Sequence, residues 1–275
     1  MLLSAVILCF NSQRHIDAAV RSLAAECARL GDACEIFVVD NGSRDDSPAL
    51  LARLEGEFPG LLHVIRNPVN AGTTVSRNLA LRRSAGRVLL VMDSDIVVPA
   101  GCLATLLARL DADPRIGLLA PRLIYPDGRP QLSADVFPTL THKLRRLFGL
   151  RGMERGMERG PAQAGECGAR RVDYAISAFW LLPRQVVARV GLLDERIFYS
   201  PEDVDYCLRI WEAGYEVVQD PTAFAIHDAR EISRGVRRPG FALRHAAGLA
   251  YLFAKHRYWL GRTRLYRRLG MVGRT

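Results

Sequence analysis

Within roughly the first 95 residues, short continuous apolar runs alternate four times with stretches of helical periodicity, and few architectures tolerate that pattern. The runs LLSAVILCF (2–10), EIFVV (35–39), 63–66 and VLLVM (88–92) read as strands buried on both faces. Residues 16–30 place Ile16, Val20, Leu23 and Cys27 on one stripe, and 47–58 and 72–84 follow as further helices. Strand and helix in this order imply an open α/β sheet with right-handed crossovers. Such sheets bind ligands where the carboxyl ends of the strands leave the core.

Three polar clusters fall at those ends: Asn11-Ser12, Asp40-Asn41-Gly42-Ser43 and Asp93-Ser94-Asp95. In VLLVMDSDIVVP (88–99) two carboxylates sit between two apolar runs. Side by side in a non-polar setting they are costly to ionise, and a hard divalent cation removes that cost. The alternative is a strand-end turn with solvated acids. Asp40 reads either as a carboxylate that accepts hydrogen bonds from a nucleotide base or as an Asx turn with Asn41-Gly42. GTTVSRN (72–78) offers a helix N-terminus and Arg77 to a phosphate. No GxGxxG, Walker, GxSxG or HExxH pattern occurs, so dinucleotide, serine-triad and zincin chemistry have no support.

Beyond residue 100 the pattern loosens. A helix over 103–110, a strand over 116–120 and a hairpin turning at Pro126-Asp127-Gly128 come first. Residues 151–171 carry a small tandem repeat, GMERGMERG, and a Gly-rich, charged continuation, which reads as a mobile loop. Residues 172–183 form an apolar strand, 185–190 a short helix, and SPEDVD opens another helix with Pro and acids in its first turn. Glu202, Asp203 and Asp205 there are either dipole partners or the setting for a general base. A strand over 216–219 and a second run toward His227 follow, and His227 is either structural or a metal ligand.

The chain has 275 residues, 49% of them hydrophobic, enough for one large domain or a domain with an appendage. Its six cysteines include no CxxC pair and read as reduced core residues of a cytoplasmic protein. The apolar start has neither a basic leader nor a cleavage site, and no apolar run reaches about 18 residues, so neither signal peptide nor transmembrane span is expected. Net charge is +9, yet from Arg230 onward twelve Lys/Arg face one Glu, so residues 1–229 are close to neutral. The division expected is a catalytic domain over 1–229 (a donor half, 1–100, and an acceptor half, 101–229) and a basic amphipathic helical tail over 230–275. That tail either lies on an anionic membrane surface or packs on the domain. A nucleic-acid binding protein would share the basic tail, but three acidic clusters on one sheet edge would repel phosphates. A nucleotidyltransferase would need a basic glycine-rich phosphate loop near the N-terminus, which this sequence lacks.

Six segments in order carry a resemblance: VILCFNS, VVDNGSRDDS, NPVNAGTTVSRNLAL, VMDSDIVVP, GLLAPRLIYPDGRPQLSADVFPT and GLLDERIFYSPEDVDYCLRIWEAGYEVV. Together, over residues 3–228, they resemble the inverting family-2 glycosyltransferases of the nucleotide-diphospho-sugar transferase (GT-A) fold, in the rhamnosyltransferase-like subgroup. The resemblance implies a mostly parallel central sheet flanked by helices. It implies donor binding by Asn11, Asp40, Asn41, Arg77, Asp93, Ser94 and Asp95, with Mg2+ or Mn2+ held by Asp93, Asp95 and His227. Asp203 would be the catalytic base, and Glu202 and Trp180 would lie on the acceptor side. The partners implied are a nucleotide-diphosphate sugar and a glycan or lipid-linked saccharide; the basic tail adds an expected peripheral contact with the inner face of an anionic membrane, and no nucleic-acid partner is expected. Asp-Ser-Asp stands where the subgroup often has Asn-Pro-Asp, and GTTVSRN where it is Gly- and Asn-rich. The first expectation for the donor is thymidine-diphosphate rhamnose, with uridine- and guanosine-diphosphate sugars as alternatives.

Overall fold

The strand β1 (Leu3–Cys9) is buried along nearly its whole length, because it lies in the middle of a sheet covered on both faces. In the computed structural model, which describes residues 2–31, 34–141, 168–229 and 239–271 (side chains of 239–243 excepted), β2 (Cys34–Asn41) and β4 (Val88–Asp93) pair with β1 in parallel on either side. β3 (Leu62–Asn67) extends the parallel block beyond β2. Helices α1 (Ile16–Arg29), α2 (Ser47–Glu57) and α3 (Thr73–Arg83) are the crossovers, close to the stretches expected from periodicity. The period-2 alternation of the strands sorts the core into two layers. Ala5, Ile7, Val38 and Leu90 pack with α1 and α2, and Val6, Val39, Leu89 and Val91 pack with α3.

After β4 the chain turns at Asp93–Asp95 into the short β5 (Ile96–Val97), then α4 (Cys102–Ala112) and β6 (Ile116–Ile124). β7 (Ala134–Asp135) pairs with β9 (Tyr174–Ala175) as a small ribbon, and β8 (Arg170–Arg171) joins the large sheet. β10 (Phe179–Pro183), α5 (Arg184–Val190), α6 (Glu202–Glu212) and β11 (Glu216–His227) complete the body. The large sheet runs β3-β2-β1-β4-β10-β6-β11-β5, with β8 beside β11.

The sheet is mixed rather than mostly parallel. β10 lies antiparallel between β4 and β6. It begins opposite Met92, at the end where Asp93 leaves the sheet, and runs back to Val88, since it follows the ribbon strand β9 with no crossover helix between them. The apolar stretch 172–183 is therefore split rather than one strand: Asp173 and Ser177 are buried polar groups that break it. Conversely, β6 continues through Pro121, opposite Asp220 next to a register shift of β11, where a missing N–H is tolerated. β11 is one strand where two were expected.

The tail forms α7 (Pro239–His256) and α8 (Thr263–Arg268), separated by a turn with Arg257 at φ +52°. Leu252, Phe253, Tyr258, Leu265 and Leu269 are buried in the same core layer as Trp180 and α6. Ion pairs of Lys255 with Asp194 and Asp205, and of Arg268 with Glu212, tie the tail to the body. The expected mobile loop lies outside the described residues except for 168–171, of which Arg170–Arg171 are β8.

Candidate functional site

The carboxyl ends of β1, β2 and β4 meet at one edge of the sheet, and their exit loops are stitched together. Asn11, at φ +51°, donates its N–H to Ser43 Oγ (3.0 Å) and accepts Arg44 N–H on Oδ1 (2.8 Å). Ser94 is buried with its hydroxyl 2.7 Å from that of Ser12. Asp40 is buried and accepts Ser43 N–H on Oδ1 (3.0 Å), the Asx turn that its sequence allows.

Asn41 differs from expectation. Its Oδ1 accepts from Ser76 Oγ (2.7 Å) and from Ala71 N–H (2.9 Å), and its Nδ2 donates to Asn70 Oδ1 (3.0 Å). A buried amide must find partners, and this one finds them in the loop that leads into α3. Asn41 knots that loop with its side-chain amide.

Asp93, Asp95 and His227 come together. Antiparallel pairing of β5 with β11 sets Ile96 opposite His227, which brings the imidazole beside Asp95. His227 Nε2 is 3.3 Å from Asp95 Oδ1, and one ligand atom from each of the three residues lies within 4.8 Å of the others. Nδ1 is 2.7 Å from Oε1 of Gln131. That amide oxygen only accepts, so Nδ1 carries the proton and Nε2 faces the carboxylates. Burial pushes the Asp93 carboxyl upward, and the Arg77 guanidinium offsets this only in part. Two carboxylates and one imidazole make a donor set that suits Mg2+ or Mn2+. Asp93 Oδ1 is engaged by Arg77, which leaves its second oxygen for a cation.

Arg77 was expected to reach the donor, but only 1% of it is exposed. Its Nη2 donates to Asp93 Oδ1 (2.5 Å) and to the Ser177 carbonyl (3.0 Å). Nη1 lies 3.6 Å from Glu202 Oε1. Neither Nε nor Nη1 has a hydrogen-bond partner among the described residues. The guanidinium lies between Asp93 and Glu202, and so couples the β4 exit to the start of α6.

The three acids of α6 point three ways, as spacing on a helix requires. Glu202 turns inward and accepts Ser177 Oγ (2.9 Å), with its pKa pushed up to about 8, first by burial and then by Asp203. Asp205 turns toward the tail and meets Arg209, Lys255 and His256. Asp203 stays half-buried in the first turn of α6. Trp180 is fully buried, stacked on Tyr206 (centroids 5.8 Å apart), and donates Nε1–H to Ala175 O (3.1 Å). It packs in the core layer on the α6 side of β10. Glu202 is likewise buried, at 7% exposed.

Sequence reasoning missed Gln131 and Ser177, for which local pattern gives no signal, since each acts on a partner distant in the chain. It also missed Phe198 and Tyr199, 37% and 47% exposed just ahead of Glu202. Desolvation, and after it the charges of Asp93 and Glu202, push Tyr199 up to about 12. The segment that carries them is pinned to α3: Thr73 N–H donates to Phe198 O (2.7 Å), Thr74 Oγ1 to Ile197 O (2.7 Å), and Asn78 bonds both N–H and C=O of Leu193. Gly72, at φ +89°, allows this approach, because a Cβ there would lie 2.5 Å from Phe198 O.

The family model for glycosyl transferase family 2 matches residues 4–178. The chain is 26% identical over 273 residues to the N-acetylglucosaminyl-diphospho-decaprenol L-rhamnosyltransferase of Mycobacterium tuberculosis (strain ATCC 25618 / H37Rv), covering 94% of this chain and 86% of that protein. It is 27% identical over 219 residues to the pre-mycofactocin glycosyltransferase of the same organism, covering 78% of this chain but only 42% of that protein's length. Among solved structures, S. aureus TarS 1-349 in complex with UDP-GlcNAc superposes with a TM-score of 0.66 at 17% identity, over 98% of this chain and 71% of that one. Mannosyltransferase PcManGT from Pyrobaculum calidifontis, in complex with GDP-Man and Mn2+, gives 0.63 at 19% identity, over 92% and 63%. These superpositions identify the fold as GT-A.

Proposed function

The chain belongs to glycosyl transferase family 2, and on that premise we propose that it is an inverting, rhamnosyltransferase-like glycosyltransferase. It moves a sugar from a nucleotide-diphosphate donor to a hydroxyl of a glycan or lipid-linked saccharide on the cytoplasmic side of the cell envelope. The observation that carries this reading is the convergence of Asp93, Asp95 and His227 at the sheet edge, coupled through Arg77 to the acids that open α6. Thymidine-diphosphate rhamnose is the first choice of donor, in keeping with the rhamnosyltransferase relative. The neighbours held with UDP-GlcNAc and GDP-Man keep uridine and guanosine donors in play.

Asp93, Asp95 and His227 would hold Mg2+ or Mn2+, which supplies positive charge against the departing diphosphate. Asp40, Asn11 and Ser94 border the donor side of the same edge, Asp40 toward the base. Asp203 takes the proton of the acceptor hydroxyl as that oxygen attacks the anomeric carbon from the face opposite the diphosphate. Glu202, with its pKa near 8, keeps its proton at neutral pH, which leaves the base's part to Asp203. A single displacement of this kind inverts the anomeric centre without a covalent enzyme intermediate.

The test is thermal stabilisation by thymidine, uridine, guanosine and cytidine diphosphates, each with and without Mn2+, beside turnover of Asp203→Asn. A metal-dependent rise in Tm with one nucleotide, and a variant that keeps this rise but loses transfer, are the expected results. Near-normal turnover of Asp203→Asn would refute the assignment of the base.

A further inference from the structure

Residues 239–271 contain seven Lys/Arg and no Asp or Glu. Four of the seven are engaged: Lys255 and Arg268 pair with body acids, Arg262 donates to Phe137 O (2.5 Å), and Arg244 stacks over Phe198 (4.6 Å). The other three, Arg257, Arg264 and Arg267, are exposed and make no ion pair among the described residues. Between Arg257 and Arg264 the turn presents Trp259 and Leu260, 45% and 67% exposed. Backbone bonds hold this turn in place: Leu140 N–H donates to Trp259 O (2.8 Å), and Thr141 Oγ1 to Leu260 O (3.1 Å).

The outer face of α7 is equally unusual. Ala246, Ala247, Ala250 and Ala254 are exposed, and the one Lys, Arg, Asp or Glu between Arg244 and Arg257 is Lys255, which turns to Asp194 and Asp205 of the body. A helix that covers a soluble body normally turns charged residues to water. Here the inner face is spent on Leu252, Phe253 and His256, and the outer face is apolar as well. No described helix is long and apolar enough to cross a membrane.

We propose that the outer face of α7 and the Trp259-Leu260 turn, ringed by Arg257, Arg264 and Arg267, form a docking surface for an anionic lipid bilayer. Each part has a fitting role. Tryptophan settles at the level of the headgroups, leucine enters the acyl boundary, and arginines meet lipid phosphates with their stems against apolar surface. Charge complementarity selects the occupant, since three exposed arginines flanking an exposed Trp-Leu pair, in a segment without a single acid, match an anionic leaflet. The same helix passes over the loop ahead of Glu202 and Asp203, where Gly248 lies against Ser200. On the proposed glycosyltransferase reading, docking would hold the acceptor side of the site beside the membrane that carries a lipid-linked acceptor.

Vesicle binding needs no donor, metal or acceptor, so its result is independent of the proposed reaction. The full chain is mixed with phosphatidylcholine vesicles and with vesicles containing phosphatidylglycerol, and the bound fraction is read by flotation. Binding only to the anionic vesicles is expected. The Arg257→Gln/Arg264→Gln/Arg267→Gln variant should lose roughly a hundredfold, at about fivefold per arginine. Trp259→Ser/Leu260→Ser should lose tenfold or more; Leu260→Ser alone, at the more exposed side chain, should weaken binding with an unchanged Tm, since Trp259 also packs on Phe253. Trp180 and Trp211 are buried, so a blue shift on binding, quenched by brominated acyl chains, reports Trp259. Equal binding to both vesicle types, no binding, or unaltered binding by either variant would overturn the proposal.

Discussion

His227 Nε2 lies 3.3 Å from Asp95 Oδ1, although one residue ends the last strand of the sheet and the other leaves β4. Gln131 fixes this approach by accepting the proton of Nδ1. Gln131→Leu frees the ring to rotate, and partners of this kind are typically worth ten- to a hundredfold in metal affinity. Calorimetric titration with Mn2+ should show a loss in that range; unchanged affinity would remove Gln131 from the site.

Arg77→Met removes the one guanidinium between Asp93 and Glu202. Breaking a buried pair from one side leaves an uncompensated charge, at a cost of about 3–5 kcal/mol. Adding Asp93→Asn should recover part of that loss, because Asp93 Oδ1 is the carboxylate oxygen that Arg77 engages. Urea unfolding of the single and double variants tests this, and strict additivity would contradict the coupling.

His256 sits between Asp205 (2.9 Å) and Glu212 (3.3 Å), with Lys255 and Arg209 also facing Asp205, and Arg268 facing Glu212. Burial pulls the imidazole down, but its two carboxylate partners outweigh that and raise it above 6.5. Its contribution to stability is therefore complete below pH 6.5 and lost as pH rises through the raised value. Asp205 and Glu212 are held below their usual 3.8 and 4.5, so their part is present above those values and fails in acid. Between pH 6 and 9, Tm should fall more steeply for the wild type than for His256→Gln. Parallel curves would show that this histidine does not anchor the tail.

Alanine in place of a helical glycine usually stabilises by about 1 kcal/mol. At Gly248 the sign should reverse, because the added Cβ would lie 2.5 Å from Ser200 O. Gly248→Ala should lose about 1–3 kcal/mol in urea. Its kcat should drop as well, since Ser200 leads directly into Glu202 and Asp203. A gain in stability would mean that α7 stands further from the loop.

Trp180→Ala should cost about 3–5 kcal/mol, the range for a buried aromatic. Trp180→Phe keeps most of the packing on Tyr206, and its KM for acceptor should match that of the wild type. A raised KM in the phenylalanine variant would return Trp180 to the acceptor side.

Local pattern carried the parallel block well. β1 to β4 and α1 to α3 are set by runs and stripes that lie within a dozen residues of each other. The antiparallel β10 was not legible, because a strand's direction depends on where the chain re-enters the sheet. Asp93, Asp95 and Asp203 stood out as carboxylates in apolar or helix-start settings. Arg77 and Asn41 stood out equally, and the fold adds protein partners for both that the sequence did not show. Both have polar side chains that a ligand could use, and only the fold shows that Asp93 and the loop into α3 use them first. The tail's periodicity ran unbroken in sequence, while α7 stops at His256 and Arg257 takes φ +52°, a left-handed position more usual for Gly or Asn.

The pairing of β5 with β11 has a consequence for synthesis. Asp93 and Asp95 leave the ribosome early, and His227 arrives only after all the other strands of the sheet. Until then the two carboxylates stand at an unfinished edge, and β4 still lacks its neighbour β10. Contacts between such distant segments form late and slowly. A chain cut short before β11 would keep the early parallel block without His227, so Asp93, Asp95 and His227 come together only once β11 has joined the sheet.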